Sequence, residues 1–561
     1  MPALRVFLAS GFTPLHLGSF LLAHCRRLFP GRNVTLETGL YGDLLGNLRR
    51  GIEVRADAIA VTIEWSDIDP RLGVRQLGGW TPESVSAICA NVRKTVPRLE
   101  QTLGEATTAA TLVISPPTLP LPPFSHEPIW QLGAVESSIR STVNQLLERL
   151  AGSPAIRIIS PEAVDSVSVL TDRFDITSEI NTGFPYTMKH ADRCGDLLAR
   201  AICNASPKKG LITDLDDTLW RGILGEVGSQ GVCWDLSGKA HIHGLYQQFL
   251  AALASRGVLV GVASKNDPGL VAETLRNRGD LLVGTSQLFP VDSSWNPKSE
   301  AVGRILKAWN VAADSVVFVD DSALELEEVR CSYPEIEAFQ FTPNDPKAVW
   351  SLINQLQALF GKSEIRQEDR LRANSLRSAV EFSSAGDEGT DQDVFLSQLE
   401  AVISVSLTVD PGDGRPLELI NKTNQFNLNG GRILEPDWRV HLADPNGLAV
   451  VVTYQDKFGP LGKIAVIAGH KTGRTINIRS WVMSCRAFAR RIEYQCLKLL
   501  FELGEADEIS LDYQETARNG PVRDFLTQMR GTELTSPVLI KRADFENSCP
   551  ALFHTVTRIA W

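Results

Sequence analysis

Four segments of this 561-residue chain carry side chains suited to phosphorus chemistry. The first is Asp214-Leu215-Asp216-Asp217-Thr218, directly after the apolar run from Gly210. Ser264-Lys265-Asn266 follows Val258–Ala263, Lys298 follows Asn296-Pro297, and Asp320-Asp321-Ser322 follows Val316–Val319. A carboxylate can attack a phosphate only if both negative charges are neutralised, which calls for a hard cation held by oxygen ligands. Asp214 is the expected nucleophile. Asp214, Asp320 and Asp321, with the backbone carbonyl of Asp216, are the expected Mg²⁺ ligands. Lys298 would balance the remaining charge, and Thr218, Ser264, Lys265 and Asn266 would hold the transferred group. The Asp216 side chain, two residues past the nucleophile, is placed to give a proton to the leaving oxygen and take one from water. A single Asp-x-Asp more often caps a helix or solvates a turn; four such signals in one order point to a site.

These residues need strand ends to hold them. Gly210–Asp214, Val258–Ala263, Leu281–Val283 and Val316–Asp320 read as buried strands with helices between, hence a parallel, doubly wound sheet. In such a sheet ligands bind at the carboxyl ends of the strands. Residues 1–205 repeat the alternation, with strands at Arg5–Ser10, Ala58–Trp65, Thr111–Ser115 and Ile156–Ile159. Helical spacing covers Gly11–Leu28, Pro82–Leu103 and Val135–Leu150. After a polar stretch near 361–372, the strands Leu448–Tyr454, Ile464–Ala468 and Ile476–Ser484 run in sequence. A helix over Ala489–Leu503 and a strand over Glu508–Tyr513 follow, an α+β pattern. Three domains result: 1–205, 206–365 and 366–561, within the three or four that a prior of roughly 100–200 residues per domain gives.

Composition excludes several classes. Hydrophobic residues make up 43% and charged residues 22%, ordinary for a globular protein. A net charge of -10 argues against nucleic acid as the main partner. Nine cysteines without paired spacing indicate neither a disulfide framework nor a zinc site, and a reducing cytoplasm is expected. His241 and His243, near Cys233, read as part of a solvated hairpin. No run reaches the ~20 apolar residues of a membrane span.

Taken together, the four phosphate segments resemble motifs one to four of the haloacid dehalogenase (HAD) superfamily. The gaps from Thr218 to Ser264 and from Ser264 to Lys298 hold no full cap domain, so a Rossmann-like domain with a minimal cap is implied. Its open site should act on something bulky or borrow a lid. Within the superfamily, Asp214–Trp220 with Arg221-Gly222 and Gly225-Glu226 resembles the FkbH-like family of polyketide assembly lines. So do Ser264-Lys265-Asn266-Asp267, Asn421–Asn427, Asp456-Lys457-Phe458-Gly459, Met483-Ser484-Cys485-Arg486 and Thr516-Ala517-Arg518-Asn519. The resemblance covers about 205–530. It implies a cytoplasmic glyceryltransferase/phosphatase that dephosphorylates 1,3-bisphosphoglycerate and loads glyceryl as a thioester onto the phosphopantetheine arm of an acyl carrier protein. Alternatives are a HAD phosphatase or acyltransferase acting on another phosphorylated metabolite, and a carrier-protein docking scaffold.

The third region resembles the acyl-CoA-binding core of N-acetyltransferases (GNAT-like). Arg479, Arg486, Arg490 and Arg491 would form a basic patch for the arm's phosphate or an acidic carrier. Cys485, beside them at a helix start, is the candidate acyl-holding thiolate; the structural alternative is a small thiol that packs. Two departures stand out. Ala489-Arg490-Arg491 replaces the glycines of acetyltransferase loops, and Ala263 stands where FkbH-like sequences commonly carry cysteine. Asn421–Asn427 offers amides for polyol or phosphate recognition, or for its own backbone. The first region is distantly similar to SGNH hydrolases, with Ser10 and His190 as candidate nucleophile and base. The Gly-Asp-Ser signature is missing, so a docking or lid domain is expected.

Overall fold

A computed structural model describes residues 3–128, 130–362, 392–407, 409–410, 413–423, 425–457, 459–484, 487–488, 490–516, 518–530 and 534–559. The chain divides into two compact units, Met1–Ala205 and Ser206–Trp561.

The first unit holds five parallel strands: β1 (Leu4–Ser10), β2 (Val34–Thr38), β3 (Ala58–Thr62), β4 (Thr111–Ser115) and β5 (Ile156–Ile158), in the order β2-β1-β3-β4-β5. Apolar side chains leave both faces of β1: Phe7 and Ala9 on one, Val6 and Leu8 on the other. That is the pattern of a sheet covered by helices on both sides. β3 stops three residues short of the expected Trp65. The Asp67 carboxylate accepts the Glu64 amide (2.8 Å), turning the chain into a short helix, Trp65–Ile68. A side-chain cap that satisfies an exposed amide overrides the apolar run.

The second unit opens with β6 (Gly210–Thr213), β7 (Leu259–Ser264), β8 (Leu288–Ser293), β9 (Val316–Asp320) and β10 (Glu337–Gln340), all parallel, in the order β10-β9-β6-β7-β8. β6 is central, and the chain reverses its direction of travel across the sheet between β6 and β9. Leu281–Val283 is not a strand; Val283 is buried in a turn, and the strand is Leu288–Ser293. Pro290 hides that strand from its sequence pattern, and the sheet tolerates it because β8 lies at the edge. His241 and His243 open the helix His241–Ser255 instead of lying in a hairpin; His243 is buried, and its Nδ1 donates to the Thr218 carbonyl (3.0 Å).

A mixed sheet completes this unit: β11 (Val402–Ser406), β12 (Phe426–Asn427), β13 (Gly447–Asp456), β14 (Gly459–Thr472), β15 (Thr475–Met483), β16 (Glu508–Leu511), β17 (Val538–Lys541) and β18 (Thr555–Ile559). Its centre, β13-β14-β15, is an antiparallel meander. This region is tied to the parallel sheet through Arg518, which ion-pairs with Asp314 and, at 3.1 Å, with Glu335. Lys209 Nζ also donates to the Lys422 carbonyl (3.4 Å). Lys209, Asp314 and Glu335 each precede a strand of the parallel sheet, so these ties lie at the strands' starting edge. Among the described residues no helix is long and apolar enough to cross a membrane.

Candidate active site

Packing explains why the four segments meet. Gly210 of β6 and Gly261 of β7 make a floor for the Trp309 indole; a Cβ at either would come within 2.5 and 2.8 Å of its ring. Trp309 ends the helix Lys298–Trp309 and is fully buried, its Nε1 donating to the Phe289 carbonyl (2.7 Å). The indole fixes the helix on the sheet, and Lys298 at its other end reaches the carboxyl edge. Glu328 caps that end: its carboxylate oxygens accept the amides of Lys298 (3.0 Å) and Ser299 (3.1 Å).

At the edge, the buried Lys298 Nζ lies 2.5 Å from Asp320 Oδ2 and 3.0 Å from Asp214 Oδ1. The Asp320 and Asp214 carboxylates end the adjacent strands β9 and β6, at the point where the winding reverses and where doubly wound sheets bind ligands. Carboxylate oxygens of Asp214, Asp320 and Asp321 lie within 4.8 Å of one another. Burial raises the pKa of Asp214 despite the opposing pull of Lys298. Burial and the neighbouring Asp214 raise Asp320, and burial with Asp214 brings Asp321 to about 6. Burial pulls Lys298 down, but its two carboxylate partners outweigh this and hold it above the usual ammonium range. One cation among three carboxylates leaves an excess of negative charge in a poorly solvated place. Three clustered carboxylates are an oxygen-rich donor set that fits Mg²⁺.

The other expected residues fall into two groups. Asp216, placed by a turn whose Asp217 has positive φ (49°), is held by three donors. Oδ1 accepts from Trp220 Nε1 (2.9 Å) and the Leu224 amide (3.1 Å), and Oδ2 from Asn266 Nδ2 (2.9 Å). Its side chain is outside the carboxylate cluster of Asp214, Asp320 and Asp321. Thr218 is buried, and its Oγ1 has no hydrogen-bond partner in the fold. Asn266 ties Asp216 to Ser264 Oγ (3.2 Å) and so positions the site from behind. Lys265 departs from expectation: its ammonium pairs with Glu325 (2.7 Å), because the helix after Asp321 brings that carboxylate alongside. Trp220 belongs to the motif quoted from the sequence, but its bond to Asp216 was not anticipated, nor were the roles of Glu325 and Glu328 on the helix after Asp321.

Elsewhere the candidate residues do not converge. Cys485 and Arg486 lie outside the described residues. The helix expected from Ala489 starts at Ile492, since Arg491 adopts positive φ (56°). Two of the four arginines of the expected basic patch are engaged within the fold: Arg490 pairs with buried Asp456 (3.3 Å) and stacks on Tyr454, and Arg491 pairs with Asp393 (2.6 Å), while Arg479 is exposed. Asparagine amides serve their own backbone, Asn421 bonding Ile433 and Asn427 bonding Thr423 and Gly430. The Ser10 hydroxyl donates to Phe12 within its turn, while His190 bonds Thr118 and Ser168, so no nucleophile–base pair forms between them.

No protein-family model matches the sequence, and no curated protein does. Among solved structures, the N-terminal part of protein BF1531 from Bacteroides fragilis, containing a phosphatase domain complexed with Mg, is similar at 18% identity. The match covers 65% of this chain and 95% of that one, with a TM-score of 0.51. An uncharacterised protein from Corynebacterium glutamicum matches at 19% identity over 28% of this chain and 98% of its own, but its TM-score of 0.20 carries no argument. The chain therefore shares the α/β fold of a Mg-bound phosphatase-domain protein, with a further mixed sheet.

Proposed function

We propose that this chain is a Mg²⁺-dependent phosphatase of the aspartate-nucleophile, HAD-like kind, whose dephosphorylation serves glyceryl transfer to an acyl carrier protein. The observation that carries the first part is the meeting of the Asp214, Asp320 and Asp321 carboxylates around Lys298. Magnesium, when bound by these carboxylates, supplies the positive charge that lets an anionic nucleophile approach an anionic phosphate. Asp214 attacks phosphorus from the end of β6. Lys298 offsets charge on nucleophile and phosphoryl group. Thr218 Oγ1 offers a hydrogen bond to the transferred group. Asp216, oriented by Trp220, the Leu224 amide and Asn266, passes a proton to the departing alkoxide and takes one from the water that frees Asp214.

The finer reading rests on the resemblance of 205–530 to FkbH-like proteins. The thiolate of a carrier arm attacks the acyl carbon of 1,3-bisphosphoglycerate, the bond to the acyl phosphate breaks, and inorganic phosphate leaves. The remaining phosphate passes to Asp214 and then to water, giving a glyceryl thioester and two phosphates. Internal pairing of Arg490 and Arg491 removes one support for arm binding at the third region, and favours keeping the simpler phosphatase as second reading.

Incubation with Mg²⁺, labelled 1,3-bisphosphoglycerate and a holo carrier protein tests both. Phosphate release with a glyceryl mass gain on the carrier supports the full proposal, release alone the phosphatase, and no release overturns both. An enzyme thioester on Cys485 ahead of the carrier is the competing route: Cys485→Ala then keeps release and stops loading, whereas normal loading leaves the direct attack written above.

A further inference from the structure

An open groove of about 560 Å³ runs between the helix Pro268–Asn277 and the edge strand β8. That volume is within the range of small-molecule sites. Its floor and walls are mostly apolar, from Val271, Ala272, Leu275 and Val291. The inner end adjoins the phosphate site: Ser293 is the register partner of Ser264, and its hydroxyl donates to the Asn266 carbonyl (3.2 Å). At the outer end, a helix length away, stands Arg276, exposed and without an ion-pair partner among the described residues. The groove's acidic group, Asp292, is already neutralised by Arg304 (2.7 Å).

We propose that this groove holds an extended, amide-linked thiol arm that ends in a phosphate, with the reacting end toward Asp214 and the phosphate toward Arg276. The proposal rests on the carrier-loading reading above and assigns the place where the arm lies. Three features select such a ligand. An edge strand accepts an extended amide chain as it accepts another strand. The apolar wall covers the methylenes between amides. The lone guanidinium suits a terminal phosphate. The lengths agree as well. From Pro268 to Arg276 is eight helical steps, about 12 Å. From β8 across to β6 is two strand spacings, about 10 Å. The path therefore takes a long, thin ligand and gives no advantage to a compact one. It also gives the capless site the bulky substrate its openness calls for.

Free phosphopantetheine is the probe, with pantetheine lacking the phosphate as the comparison, both titrated calorimetrically into the full chain. Phosphopantetheine should bind at least tenfold more tightly than pantetheine. Arg276→Ala should bring the two together, and Ala272→Trp, which fills the groove from an exposed position, should abolish both. Mg²⁺-dependent hydrolysis of p-nitrophenyl phosphate should be unchanged in both variants. Equal binding by parent and Ala272→Trp, absence of binding at millimolar phosphopantetheine, or preference for a short peptide with a free carboxylate would each overturn the groove assignment while hydrolysis persists. Loss of hydrolysis from the parent itself strikes at the phosphatase reading instead.

Discussion

Each unit buries a cluster of charged and polar groups beyond the ends of parallel strands, and the two clusters are built on opposite plans. In the first unit, Glu64 accepts four hydrogen bonds: from Thr118 N (3.1 Å) and Oγ1 (2.7 Å), Leu119 N (3.2 Å) and the Tyr186 hydroxyl (2.6 Å). His190 donates from Nε2 to Thr118 Oγ1 and accepts at Nδ1 from Ser168. Arg173 closes the network on the carbonyls of Ser168 and Thr118. Each of these donors meets an acceptor, which is how a buried polar network stabilises a fold. In the second unit, two carboxylates share one ammonium with a third, Asp321, beside them, and Thr218 Oγ1 has no partner. A network closed on itself holds the protein together; one left incomplete waits for a ligand.

The largest test of this contrast is Asp214→Asn. Mg²⁺-dependent hydrolysis of p-nitrophenyl phosphate, which needs the nucleophile, should fall at least about a thousandfold, while the unfolding midpoint in metal-free buffer holds or rises because like-charge repulsion is relieved. A large drop in that midpoint would erase the distinction. Glu64→Ala should do the reverse: it should cost at least about 3 kcal/mol in urea unfolding by stranding the donors from Thr118, Leu119 and Tyr186. Phosphate release per folded molecule should stay at the parent level. Next in size, Mg²⁺ at a hundred times its Kd should stabilise the parent by about 2.7 kcal/mol. Asp320→Asn should show a fraction of that gain, and chelation should stop phosphate release.

A subtler effect concerns pH. Burial and the neighbouring Arg173 depress His190 from the usual imidazole value of 6.5 to about 3, so the unfolded chain takes up a proton that the native state refuses. Its contribution is complete above pH 6.5 and is lost as pH falls toward 3. Asp67, raised to about 7 by burial, and Glu64, also raised by burial, act in the opposite sense above pH 4. The net loss is therefore steepest below pH 4, up to about 1 kcal/mol per pH unit. His190→Gln should flatten that limb of a urea-midpoint titration. Smallest is Arg518→Ala, which should cost about 1 kcal/mol or less, since its carboxylate partners are partly solvated. Phosphate release should be unaffected.

Much of the phosphate site was legible because apolar runs ended in Asp214, Ser264 and Asp320, and strand ends of a parallel sheet share one edge. Less visible was what locks the residues in place. Glu328 caps the Lys298 helix from a different segment, and Trp309 rests on two glycines from different strands; neither pairing leaves a periodic mark. β8 was misplaced because Pro290 breaks the pattern of an edge strand. Lys265 and the arginines of the third region were misread for a common reason. A cation's job depends on the carboxylate it meets, and Glu325, Asp456 and Asp393 are contributed by distant parts of the chain.

Arg518 grips the parallel sheet where its strands begin, whereas Asp214 and Asp320 stand where they finish. The five residues of β9 put roughly 17 Å between those two rims. That is beyond the roughly 8–10 Å over which exposed charges feel one another in physiological salt, so the Arg518 pairs and the carboxylate cluster are electrostatically separate.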